Sequence, residues 1–217
     1  MVPQYERCTR ARSSRVAEPF GPPTCSNGDQ VRHYAQLARR LANLDHSERD
    51  ATWYHAEMGR QLASLVSMLG VLLLGVTAGA MLAEAAILVP YWQSLAPADF
   101  FDWYAANASL LVDFYSPLEI ASAVVALVSA VLHSAQSRPG GRLWWIAAIL
   151  SILVIATFFV YFKDANAGFL NRSIAEDSLP AALVTWSTWQ WGRVAVGCAA
   201  FAASVLALRA GTATDRS

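Results

Sequence analysis

The apolar residues of this 217-residue chain follow neither the 3.6-residue spacing of a surface helix nor the alternation of a half-buried strand. They gather into four long blocks that carry few charges. About 20 consecutive apolar residues cross a bilayer core, so the blocks predict four membrane-spanning helices. Their expected limits are about 61–92, 117–135, 143–162 and 183–208, and the stretch 62–83 holds no charge at all. The second span opens on Ser116-Pro117-Leu118-Glu119, a capping-box pattern with proline at the first helical position. It ends before the turn Ser137-Arg138-Pro139-Gly140-Gly141. A short helix is expected over 98–113, carrying Phe100, Phe101, Trp103 and Tyr104, and a polar loop through Asn166 and Pro180 joins spans three and four. The fold class is all-α, a four-transmembrane-helix bundle spanning 61–208.

Residues 1–29 are rich in Arg, Ser and Pro and contain no apolar signal-peptide core. Glu6 and Glu18 interrupt the basic run, so the segment reads as a disordered cytoplasmic tail rather than a transit peptide. Residues 30–60 read as a cytoplasmic amphipathic helical segment. Within it, Val31, Tyr34, Ala38 and Leu41 share one face of a helix, and Arg32, Gln36, Arg39, Arg40 and Asn43 the other. That basic face suits either anionic headgroups or water. A turn is expected over Asp45–Asp50 with Ser47 as the cap of the next helix. Residues 209–217 form a second tail.

Composition narrows the function classes. The chain is 55% hydrophobic and 15% charged, which excludes a soluble globular enzyme. Sixteen basic residues balance sixteen acidic ones, so nothing points to nucleic acid as a partner. Nine arginines precede the first span, Arg138 and Arg142 fall between spans two and three, and Arg209 and Arg216 follow the last. The other two loops hold only Lys163 and Arg172, so the positive-inside rule places both termini in the cytoplasm. Cys8, Cys25 and Cys198 have no metal-ligand or disulfide spacing. His33, His46 and His55 read as surface residues, and His133 as interfacial or bonded to a carbonyl. Neither a metal nor any other cofactor is expected.

Charges inside a membrane are costly, so they face the bundle interior and tend to mark function. Thr77, Ala80, Glu84 and Tyr91 share one face of the first span, beside a small-residue stripe of Gly75, Gly79 and Ala83 that would admit another helix. The second span carries a polar line at heptad spacing, Glu119, Ser122, Ala126, Ser129 and His133. The fourth carries Trp186, Gln190, Arg193, Gly197, Ala200 and Ser204, and the third adds Thr157 and Tyr161. At about 1.5 Å per helical residue, Glu84, Glu119, Tyr161, Asn166, Gln190 and Arg193 fall at one depth, toward the outer face. They form either a ligand site or a structural clamp in which Arg193 pairs with Glu84 or Glu119. As a site, Arg193, Glu84 and Glu119 are the candidate catalytic groups, with Trp186, Gln190, Asn166 and Tyr161 binding substrate. The other tryptophans, Trp144, Trp145, Trp189 and Trp191, read as an interfacial belt.

The segment Tyr161 to Leu170 followed by Trp186-Ser187-Thr188-Trp189-Gln190-Trp191-Gly192-Arg193 resembles the anthrone-oxygenase-like family of small four-helix membrane proteins. The family pattern is a Pro-x-Asn-x-x-Leu-like segment and then Trp-x-x-x-His-x-x-Arg, of which Asn166, Trp186 and Arg193 match. Pro90, Tyr91 and Trp92 are similar to the end of the family's first helix, so the likeness covers about 65–208. Asp164 stands at the proline and Gln190 at the histidine, and glutamine does not serve as a general base near neutral pH. The resemblance implies cofactor-independent oxidation of a phenolic or polycyclic substrate by dioxygen. Arg193 would then hold the substrate anion, and Glu84 or Glu119 would take its proton. The alternative is a non-catalytic accessory subunit that binds lipid, a quinone or partner helices, as a homo-oligomer or beside another membrane subunit.

Overall fold

The computed structural model describes residues 27–214, and among these every regular element is helical. The chain divides into two units at His55–Ala56. In chain order the elements are α1 (Asn27–Ala83), a π turn (Glu84–Leu88), α2 (Val89–Ser94), α3 (Pro97–Ala135), α4 (Gly141–Thr157), a second π turn (Phe158–Phe162), α5 (Lys163–Leu170) and α6 (Leu179–Thr214). Four stretches are long and apolar enough to cross a membrane: Glu57–Ser94, Pro97–Ala135, Gly141–Leu170 and Leu179–Gly211. The tail expected at 1–29 lies outside the described residues up to residue 26, as do 215–217 of the second tail.

Three expected breaks are absent. The turn at Asp45–Asp50 is helical, because that stretch holds neither glycine nor proline and the penalty of Asp or Ser inside a helix is below about 1 kcal/mol each. No helix begins at Ser116, since the short helix and the second span are one element, α3, with Pro117 in its interior. Proline there removes one backbone donor, yet thirty-nine helical residues propagate through it. Glu119 is thereby freed from a capping role. The loop through Asn166 is likewise helical, as α5 continues the third span past its π turn.

The second unit is built inside out relative to a water-soluble protein. Leu72, Val76, Val128, Ile149, Ile152 and Val184 are exposed, whereas the buried positions of α3 and α6 are mostly alanine, serine and the heptad polar lines. Such an apolar exterior suits lipid rather than water. Glycines allow close approach at two points. A Cβ on Gly70 would lie 2.9 Å from the Trp144 ring, and one on Gly197 would lie 2.3 Å from Met81 Cε. In the anticipated Gly75/Gly79/Ala83 stripe, Gly75 seats Phe201 within the molecule, but nothing lies within 4 Å of a Cβ placed on Gly79. Trp144 is fully buried and is core rather than belt. The turn between α3 and α4 approaches α6 closely at Gly140, whose φ of 87° and 2.5 Å Cβ approach to the Ala207 carbonyl exclude any side chain. Several hydroxyls inside the helices are satisfied locally or across helices: Ser67 and Ser151 donate to carbonyls four residues earlier, and Thr77 bonds Ser122 at 2.7 Å, whereas the buried Ser129 Oγ has no hydrogen-bond partner. His133 Nδ1 lies 2.9 Å from the Ser129 carbonyl, as anticipated.

Candidate functional site

The two heptad lines meet at the end of the helices that carries α2 and α5. Glu84, Glu119, Gln190 and Arg193 are all buried there. The Gln190 amide donates to Glu84 Oε2 at 2.7 Å and to the Met81 carbonyl at 3.3 Å. Its oxygen accepts from Arg193 Nη1 at 3.3 Å, and Arg193 Nη2 donates to Glu119. Only this orientation of the amide satisfies both neighbours, since reversing it sets oxygen against carboxylate and NH2 against guanidinium. The chain of contacts runs from the first π turn through α6 to α3. The guanidinium carbon also sits 4.7 Å from the centroid of the Phe162 ring.

A cavity of about 180 Å³ adjoins this network, between α3 and the second π turn. Glu84, Glu119, Arg193, Trp186 and Asn166 all line it. Asn166 Oδ1 accepts from Trp186 Nε1 at 2.9 Å, which fixes the indole against the wall. Gln190 is not on that wall; it stands behind it as the bridge between Glu84 and Arg193. Tyr161 is not on it either. Its ring stacks on Trp189 at 5.0 Å and 7°, and Phe162 takes the place expected for Tyr161.

That displacement has a single physical cause, repeated twice. A π turn closes i to i+5 bonds, so it contains one residue more than an α turn and rotates everything that follows by about one position. Reckoned as ideal α-helix, Thr157 is followed on its face by Tyr161, and Glu84 by Tyr91. With π turns at Phe158–Phe162 and Glu84–Leu88, the inward positions pass to Phe162 and Trp92. Trp92 is 1% exposed and Tyr91 44%. Nothing in the composition of Glu84-Ala-Ala-Ile-Leu or Phe-Phe-Val-Tyr-Phe marks a π turn, so Trp92 and Phe162 were not legible as wall residues. π turns recur at functional sites, and here both flank the same cavity.

On the α2–α5 side the cavity is bounded by rings packed edge to face. Trp92 packs against Trp186 at 5.2 Å, Trp186 against Phe162 at 5.0 Å and Phe100 against Phe169 at 5.2 Å. Tyr104 joins that cluster, and Tyr115 donates to the Ala80 carbonyl at 3.3 Å. Two donors of cavity-lining residues, Arg193 Nε and Trp92 Nε1, are buried without a hydrogen-bond partner. Among the described residues no group of three or more His, Cys, Asp or Glu side chains is placed to hold a metal ion.

These features describe a helical protein with four helices long and apolar enough to cross a membrane and a polar centre beside a cavity. No family model, curated protein or solved structure matches the chain.

Proposed function

We propose that this chain is a multi-pass membrane protein, a four-helix bundle with both termini cytoplasmic, that binds a small ring-bearing ligand near its outer face. The observation that carries this reading is the joint one of a buried Glu119–Arg193–Gln190–Glu84 chain and a 180 Å³ cavity on its flank. A structural clamp accounts for the ion pair but not for the void. Apolar cavities of about 150 Å³ take one aromatic ring, so this one suits a ring or two, with aromatic walls to stack on. Because Glu119 already neutralises Arg193, a ligand that brings an extra negative charge is disfavoured. A neutral ring fits better, since a further buried charge there would be costly. The binder then acts as an accessory or carrier protein rather than an enzyme.

The test is equilibrium binding of 1,4-naphthoquinone to the protein in nanodiscs, quantified by solvent extraction with empty nanodiscs as the blank. One saturable site per chain is expected in the wild type. Replacing the lining residue Ala108 by Phe, which fills the void and spares the polar chain, is expected to remove that site. Equal retention by wild type, A108F and empty discs would refute the reading.

A second reading is the cofactor-independent oxidation that the resemblance to anthrone oxygenases implies. It is favoured by Glu84, a cavity-lining carboxylate that is hydrogen-bonded to Gln190 rather than ion-paired. An activated CH2 would give one proton to Glu84, and its carbanion would add dioxygen. Cleavage of the O–O bond with loss of the second hydrogen then yields a carbonyl and water. Anthrone turnover that E84Q abolishes would establish this chemistry; absence of oxygen consumption with anthrone would remove it.

Orientation is open to direct measurement. A cysteine at Ser178 is expected to react with a membrane-impermeant maleimide on intact cells in a C8S/C25S background, whereas the native tail thiols react only after permeabilisation.

A further inference from the structure

The walls of the cavity divide sharply by exposure. Glu84, Glu119, Trp92 and Arg193 are buried at its inner side, but Val112, Ile120 and Phe159, which line the same space, are 52%, 54% and 67% exposed. A residue that both lines a cavity and faces the exterior marks its mouth. The mouth therefore lies between the middle of α3 and the second π turn, on the flank of the helices rather than at their end. The ring cluster of Trp92, Phe100, Phe169 and Trp186 closes the route from the α2–α5 end.

The depth of this mouth follows from the charges. On α3 the exposed Asp113 and the turn at Gln136 are 23 residues apart, about 34 Å of helix, close to the roughly 30 Å of a hydrocarbon core. On the third span, Arg142 and Lys163 are 21 residues apart, about 31 Å. Both helices thus place the boundary near Asp113 and Lys163, so Phe159 lies about 6 Å and Ile120 about 10 Å inside the hydrocarbon, with Val112 at its edge. Ser116, exposed and polar, stands on the same rim.

Resting on the binding reading above, we infer that the ligand is a tailed amphiphile taken laterally from the bilayer: a neutral ring and an apolar chain. The ring occupies the 180 Å³ space beside Arg193 and Trp92. That volume has no room for a long chain as well, so the chain leaves between Ile120 and Phe159 into the acyl region.

The experiment compares 1,4-naphthoquinone with its 2-decyl derivative in nanodiscs at equal mole fraction in lipid, using wild type and I120W, an exposed position at the rim. The two compounds are expected to bind wild type with the same stoichiometry and within threefold in affinity. I120W is expected to weaken the decyl compound at least tenfold and the untailed ring less than threefold. Binding of the untailed ring with exclusion of the decyl compound would overturn lateral access while leaving the site intact. Equal loss of both compounds in I120W would also overturn the assigned path of the tail. Failure of both compounds on wild type would instead overturn the site itself, so the two claims fall separately.

Discussion

Arg193 is held in a buried ion pair with Glu119. Removing one partner of a buried ion pair leaves the other charge uncompensated, at a cost of about 3–5 kcal/mol, while replacing both by apolar groups is often near neutral. R193A is therefore expected to destabilise the protein by that order, and R193M combined with E119L to recover most of the loss. Unfolding by titration with a denaturing detergent would check both. If R193A unfolds like wild type, the contact with Glu119 contributes nothing. Glu84 differs in kind, because it only accepts from Gln190. E84Q keeps an acceptor oxygen in place and is expected to change stability by less than about 1 kcal/mol, in the range of one ordinary hydrogen bond. Gln190 serves as a bridge with both ends of its amide engaged.

At the scale of the helical element, glycines separate close packing from open surface. Gly70 and Gly79 lie in the same helix, yet only the first has a neighbour where its Cβ would stand. G70A is expected to cost about 1–3 kcal/mol by forcing the buried Trp144 ring to move. G79A is expected to be neutral or to stabilise by up to about 1 kcal/mol through helix propensity. Thermal unfolding of the two variants side by side would test the contrast, and equal effects would mean that α1 does not pack on Trp144 as described. The π turns act at this scale too. Each advances the following residues by one position, which is why Trp92 and Phe162 face inward where regular spacing names Tyr91 and Tyr161. W92A is accordingly expected to destabilise by about 3–5 kcal/mol, the usual cost of emptying a buried aromatic site, and Y91A by less than 1 kcal/mol. The same unfolding assay decides between these residues.

For the whole molecule, the amino-acid order alone was enough to establish four apolar helices, because bilayer-length runs of uncharged residues are a one-dimensional property. It also revealed the inward faces of α3 and α6, since Ser122, Ser129, Gln190, Arg193 and Ser204 recur at the spacing of a regular helix and all are buried. The depth at which Glu84, Glu119, Gln190 and Arg193 come together followed from counting residues at a fixed rise. What the order of residues left open was pairing and register. Whether Arg193 meets Glu84 or Glu119 depends on how three helices are rotated about their axes, and no spacing within one helix encodes that. The helix continuing through Pro117, and the two π turns, follow from the backbone bonding that packing selects rather than from propensity. The cavity is a product of tertiary structure alone. A void is defined by atoms from α2, α3, α4, α5, α6 and both π turns that fail to meet, and it exists only once those elements are set side by side.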